Sequence, residues 1–310
     1  MGIQKMILLP ALLVIGADSA FAAEIPTKFS NQGSVANTRH NLTQSTMSGP
    51  GAGWMDLSRN NYGEVCVYCH TPHGANTTIA APLWNRTAKV TTYTTYSNLG
   101  TASLTQTVSQ PGVASLTCLS CHDGQTAIDS IVNMPGSGRY QASQAIVQNT
   151  AFLDTWPGGP GGSIYGGHGT LNNSPAALAN FGECQACHSI NGDQYDPNTT
   201  PRFDVFYIGT DLRNDHPVGV TFPSATGQGT DFNTPGGLRG ETKYFDTNGN
   251  GKFDSADVRM YSDGGPAKVE CASCHDPHGV PSAGPGSTFR PTFLRVSNTS
   301  SALCLTCHSK

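Results

Sequence analysis

Apolar residues run together in one place only. Residues 6–16 are apolar and follow Lys5, and Ala20-Phe21-Ala22 then brings small residues around a cleavage point. That order predicts a secretory signal peptide over residues 1–22, with the processed chain starting at Ala23. The run falls short of the ~20 residues a spanning helix needs, and no other stretch is long enough. An exported chain without a transmembrane segment is expected, outside the cell or on its surface, with the periplasm as the alternative. Beyond the leader, the Thr- and Tyr-rich stretch 87–97 predicts a strand. Residues 171–181 predict a short helix. Little regular structure is expected elsewhere.

Composition explains why. Only 37% of residues are apolar and 12% charged, while Gly contributes 36 and Pro 20 of the 310 residues. That is little material for a conventional core and much for loops, so something other than side chains is expected to fill the interior. Disorder normally brings high net charge and few aromatics; here the net charge is −4, with 12 Phe and 10 Tyr. No basic block points to nucleic acid or an anionic membrane.

The cysteines supply the missing filler. All ten fall into pairs two residues apart, and a His follows each pair: Cys66/Cys69/His70, Cys118/Cys121/His122, Cys184/Cys187/His188, Cys271/Cys274/His275 and Cys304/Cys307/His308. C-x-x-C-H is the attachment signature of haem c. Two thiols bond one edge of the porphyrin, and the next residue then lies under the ring, where its imidazole reaches the iron. At this Cys and His frequency roughly 0.01 chance matches are expected, against five observed. Five disulfides need no His after each pair. Zinc sites do not usually keep an adjacent His, and a thioredoxin-like C-x-x-C occurs once. The predicted fold class is therefore mostly irregular coil with short helices and a few short strands, wrapped around a stacked chain of five c-type haems.

Histidine arithmetic agrees. With His70, His122, His188, His275 and His308 as proximal ligands, five remain: His40, His73, His168, His216 and His278. One spare imidazole per iron predicts bis-His ligation. Met47, Met55, Met134 and Met260 share no context and are read as packing. His73 and His278 each follow a proximal His by three residues, across a Pro. Three residues reach about 10 Å, too little to pass round the porphyrin rim, so each is expected to serve a neighbouring haem. For His278 that neighbour is expected to be the haem of Cys304/Cys307.

The motifs also organise the chain. The segment from Cys66 to Gly74, followed by 115–122, is echoed by the segment from Cys271 to Gly279, followed by 301–308. Three regions are predicted after the leader: 23–130 with haems 1 and 2, 131–240 with haem 3 behind a Gly- and Pro-rich approach at 156–169, and 241–310 with haems 4 and 5. The last region opens on a calcium-loop pattern. Asp246, Asn248, Asn250, Lys252, Asp254 and Asp257 stand at positions 1, 3, 5, 7, 9 and 12, with Gly251 at the turn. Lys252 would offer its carbonyl. Asp rather than Glu at position 12 predicts a weaker, structural Ca2+ site.

Arg39-His40-Asn41-Leu42, Cys69-His70-Thr71-Pro72-His73-Gly74, Pro82-Leu83-Trp84-Asn85, Cys118-Leu119-Ser120-Cys121-His122-Asp123-Gly124 and Asn214-Asp215-His216-Pro217-Val218-Gly219 resemble the multihaem cytochromes of metal-reducing bacteria with paired C-x-x-C-H motifs, including filament-forming outer-surface cytochromes of the OmcE and OmcS type. The resemblance implies parallel and T-shaped haem stacks, subunits that polymerise, and a His donated from one subunit to a haem of the next. Carried over, His40 is the candidate for that donated ligand. This chain's haem number departs from that of those relatives, which weakens transfer of the subunit interface.

The expected function is conduction of electrons through stacked haems to other redox proteins or extracellular acceptors, as a self-associated filament, with no catalytic residues. A soluble periplasmic carrier is the alternative. A multihaem reductase needs an open iron, whereas every iron here has a candidate sixth ligand.

Overall fold

The computed structural model describes residues 33–43, 58–90, 92–133, 168–202, 204–214, 217–280 and 293–310. The leader, His216, Met47, Met55, Met134 and most of the 156–169 approach lie outside the described residues.

Irregular chain dominates. Helix α1 (Val113–His122) starts after Gly112 and contains the second haem motif. In the predicted 171–181 helix only α2 (Pro175–Leu178) forms. Ser174 caps it, accepting a hydrogen bond from the Ala177 N–H, and Pro175 fits its first turn. Helices α3 (Cys184–His188), α4 (Cys271–Cys274) and α5 (Ala302–Cys307) are single turns or little more, each built on a Cys pair. The predicted 87–97 strand is not formed among the described residues. Thr94 makes one isolated bridge to Asp211 and Tyr96–Asn98 is a 3₁₀ turn. Propensity is overridden there because no partner strand runs alongside.

Five short strands form two small sheets. Strands β1 (Val220–Thr221) and β5 (Lys268–Val269) pair antiparallel. Strands β2 (Gly237–Arg239), β3 (Thr242–Phe245) and β4 (Val258–Met260) form an antiparallel meander. The calcium-like loop 246–257 connects β3 to β4, and its ends are pinned by the Phe245↔Val258 pair.

The apolar side chains form three separate clusters rather than one core. One packs Phe222, Phe245, Val258, Met260 and Ala267; a second Tyr62, Val67, Tyr68 and Ile131; a third Tyr93, Leu119, Leu212 and Val218. A domain of this size usually has one contiguous core. Here the space between the clusters is a cavity of about 2970 Å³, several times an ordinary ligand pocket of ~300–1,000 Å³. Met260 packs in the first cluster, as expected of a packing residue.

Hydrogen bonds knit the three predicted regions together. Glu270, just before α4, caps α1 from across the chain. Its carboxylate accepts from the Gly112 N–H at 3.1 Å and from the Ser115 hydroxyl, which in turn accepts from the Cys271 N–H at 2.8 Å. Arg86 is fully buried without a carboxylate hydrogen-bond partner. Its guanidinium donates to Ile128 O (2.7 Å), Ala127 O (2.9 Å), Ser120 O (2.9 Å) and the Ser120 hydroxyl (3.2 Å). One side chain thus ties the end of α1 to the turn that follows it.

Candidate functional site

All ten cysteines line the one large cavity, together with His70, His122, His188, His275 and His308. None is in a disulfide. Burial pushes the Cys69, Cys184 and Cys307 thiols up to about 12 and Cys274 to about 11. Reactive thiols are usually held low instead; Cys271, hydrogen-bonded to the Cys118 thiol, is shifted down.

The C-x-x-C-H turn presents its His in a repeated way. At four of the five motifs, those of His70, His122, His275 and His308, a distant segment crosses the backbone like a strap. Thr71 N–H donates to Leu83 O (2.8 Å) and Asn85 N–H to Cys69 O (2.9 Å). Asp276 N–H donates to Phe293 O (2.9 Å) and Arg295 N–H to Cys274 O (2.8 Å) in the same pattern. Each strap opens on a non-glycine residue in the left-handed region, Leu83 at φ 54° and Phe293 at φ 60°. The duplication seen in the motifs therefore extends to segments whose sequences differ, Leu83-Trp84-Asn85 and Phe293-Leu294-Arg295. Residues 231–233 strap His308 through the Asn233 N–H to Cys307 O bond (2.8 Å), and Ile208 and Gly209 both donate to His122 O.

Backbone carbonyls also set three of the imidazoles. His70 Nδ1 bonds Pro82 O (2.9 Å), His122 Nδ1 bonds Phe206 O (2.7 Å) and His188 Nδ1 bonds Pro201 O (2.7 Å). A carbonyl only accepts, so each Nδ1 carries the proton and each Nε2 keeps its lone pair for a metal. Burial, with the Arg39 charge, holds His188 down to about 4, and burial, with the Arg86 charge, lowers His122 as well. The accepting carbonyls belong to ordinary Pro and Phe residues, which carry no sequence signal.

Two of the spare histidines face proximal ones. The His70 and His278 rings lie 6.2 Å apart with planes 14° from parallel. His278 Nδ1 is held by Asp276 Oδ1 at 2.9 Å. The His40 and His122 rings lie 6.1 Å apart with planes at 87°. Burial, then the facing His122, holds His40 down to about 4. Its Nδ1 lies near Pro277 O outside hydrogen-bond geometry, and its ring stacks on Phe293 at 4.9 Å. A metal–imidazole bond of about 2 Å on each side accounts for ~4 Å of either separation. The remainder is the depth of two rings, so each pair fits one metal ion between facing nitrogens.

These placements differ from expectation twice. His278 stands against His70, not at the Cys304/Cys307 motif. His40, expected as a ligand for another subunit, stands against His122 of its own chain, because Asn41 and the 35–38 turn fold this segment onto the cavity. Of the other spare histidines, His168 is held through Nδ1 by buried Asp129 at 2.8 Å. Its neighbour Gly169 lies so near Cys184 that a Cβ there would meet the sulfur at 3.2 Å. His73 is exposed and outside the cavity lining, and His216 lies outside the described residues.

Neighbouring thiols show the order of the attachment points. Cys69 feels Cys121, Cys118 lies against Cys271, Cys274 feels Cys271 and Cys304, and Cys307 feels Cys274 and Cys304. Motifs 1, 2, 4 and 5 thus follow one another along the cavity.

The donor set suits haem c: paired thiols on one turn, a neutral imidazole beyond them, and apolar space in front. Among the described residues no helix is long and apolar enough to cross a membrane, and no three His, Cys, Asp or Glu side chains form a metal cluster. No curated protein matches the chain. A family described as the doubled CXXCH motif matches residues 265–310, the stretch carrying β5, α4, the second strap and α5, and it marks the chain as a c-type cytochrome-like protein with covalently bound haem.

Proposed function

We propose that this chain is a pentahaem c-type cytochrome that conducts electrons through closely spaced bis-His haems, assembled as an extracellular filament. The observation that carries the reading is the single cavity lined by all ten cysteines. Five separate pockets would serve five separate cofactors; one continuous space supports a chain of them. Bound haem supplies one-electron redox chemistry over a range of potentials set by its axial ligands. The chain's own residues fix the spacing. Glu270 and Ser115 lock α1 to α4, so motifs 2 and 4 keep their separation. Backbone carbonyls hold the His70, His122 and His188 imidazoles in one tautomer. Buried Trp84, Leu212 and Phe293 exclude water from the cavity wall.

In this reading His70 and His278 hold haem 1, and His122 and His40 hold haem 2. His188 and His168 belong to haem 3 with Cys184 and Cys187, while His275 and His308 are the proximal ligands of haems 4 and 5, with His216 available to haem 4. His73, exposed and outside the cavity, replaces His40 as the ligand offered to a neighbouring subunit. Electron microscopy of the haem-positive extracellular fraction tests this. Thin filaments that persist in His40→Ala and dissolve in His73→Ala are expected. Monomer-sized particles in the wild type would instead make the protein a diffusing carrier, and stoichiometric cyanide binding to the native protein would reveal an open iron and favour a reductase.

A further inference from the structure

The loop 246–257 does more than a hairpin needs. Connections between antiparallel neighbours usually take about 2–5 residues, yet this one spends twelve between Phe245 and Val258. It also folds its polar groups inward. The Asp246 carboxylate accepts from the Asn250 N–H (3.2 Å) and the Gly251 N–H (2.7 Å). Gly249 and Gly251, at φ 68° and 70°, make the turns that allow this. The side-chain amides of Asn248 and Asn250 both donate to Asp254 Oδ2, at 3.1 and 2.7 Å. Two amide NH2 groups aimed at one carboxylate mark the place where positive charge is favoured.

Asp257 supplies the independent observation. It is 0% exposed, and its Oδ2 accepts from the Asp254 N–H at 2.7 Å. Its Oδ1 is buried with no hydrogen-bond partner; the Thr247 N–H faces the carboxylate from outside hydrogen-bond geometry. A buried carboxylate oxygen without a partner is costly. Arg259, just past the loop, is engaged elsewhere: it lies 4.1 Å over the Phe253 ring and donates to Asp254 O.

We propose that this loop binds one Ca2+ through side-chain oxygens of Asp246, Asn248, Asn250, Asp254 and Asp257 and the Lys252 carbonyl. Six oxygen donors on a pliable loop suit Ca2+, whereas Mg2+ demands near-ideal octahedral geometry and Zn2+ prefers nitrogen and sulfur. The Asn248 and Asn250 amide oxygens now accept from the Asn250 and Lys252 N–H groups, at 3.1 and 2.7 Å, and binding exchanges these bonds for contacts to the ion. The carboxylates do not yet form a three-residue cluster, so binding draws Asp246 and Asp257 inward and closes the loop. Strands rather than helices flank it, which separates it from the helix–loop–helix form of such sites.

The test is calorimetric titration of the haem-loaded protein with CaCl2 after dialysis against EGTA, with MgCl2 in a parallel run. One Ca2+ per chain is expected, at or below the ~1 mM range of extracellular calcium modules. Asp257→Asn is expected to abolish binding. Asp246→Asn, at a partly exposed position, keeps the test valid should the buried variant fail to fold, and is expected to weaken binding at least tenfold with an unchanged haem spectrum. No calcium uptake at ~1 mM, or wild-type affinity in the folded variants, would overturn the proposal. Either result is independent of how many haems the chain carries.

Discussion

His70 and His278, 208 positions apart in the sequence, face each other 6.2 Å apart with nearly parallel rings. Each has its Nδ1 engaged, one by Pro82 O and the other by the Asp276 carboxylate. Both Nε2 lone pairs are left for a shared metal. In the proposed assignment the fourth motif delivers the second ligand for the first haem, and the Pro between His275 and His278 stiffens that link. Replacing His278 by Ala should convert one haem from low spin to high spin in electron paramagnetic resonance and open that iron to carbon monoxide. Unchanged low-spin intensity would show that His278 is not an axial ligand.

Asp276 stands behind His278, and Arg295 behind Asp276. Arg295 Nη1 bonds Asp276 Oδ2 and Ser255 O, both within 3.0 Å. A carboxylate accepting from Nδ1–H makes the imidazole a stronger donor, which favours the oxidised iron. Asp276→Asn should raise the potential of one haem while leaving the others in place. Spectropotentiometric titration reads this directly; a downward shift, or none, contradicts it.

Leu83 opens the first strap in the left-handed region, at φ 54°, and is 53% exposed. A side chain there costs roughly 1–2 kcal/mol of backbone strain, and little burial offsets it. Leu83→Gly should therefore hold or raise stability, by up to ~1 kcal/mol after the entropy of Gly in the unfolded chain is counted. Thermal unfolding of the holoprotein checks this, and a clear fall in Tm would mean that Leu83 makes contacts in the assembled form. The same substitution at Phe293 should be damaging, because Phe293 is buried and stacks on His40.

Arg86 makes the opposite case. Three backbone carbonyls depend on its guanidinium, and each buried acceptor left alone costs about 1–3 kcal/mol. Arg86→Gln should lower stability by about 3 kcal/mol or more, read as a fall in the urea midpoint with little change in slope. An unaffected midpoint would show that water replaces the guanidinium.

The cysteine and histidine spacing made the haem-binding turns legible, because the chemistry of attachment leaves no freedom in that spacing. The low apolar content likewise foretold a scattered core, seen as three small clusters around a cavity. What the sequence concealed was geometry between distant segments. The straps and the carbonyls that set the imidazoles use backbone groups of Pro82, Pro201, Phe206 and Phe293, and main-chain donors and acceptors look alike in every sequence. His278 is expected from sequence at the Cys304/Cys307 motif, whereas its ring stands against His70, a contact between segments that spacing along the chain does not encode. His40 was read by analogy as reaching outward, yet the 35–38 turn and the Asn41 side chain fold it inward. The 87–97 strand failed for a related reason: residues fit for a strand found only a single bridging partner in Asp211.

The central claim is that all ten cysteines carry haem along one cavity. Intact mass spectrometry of the protein matured with a haem c attachment system, after treatment with a thiol-alkylating reagent, tests it most directly. The account predicts the processed polypeptide plus five haems and no alkylation. Fewer haems with alkylated thiols, or a haem-free mass short of hydrogens lost to disulfides, would contradict it.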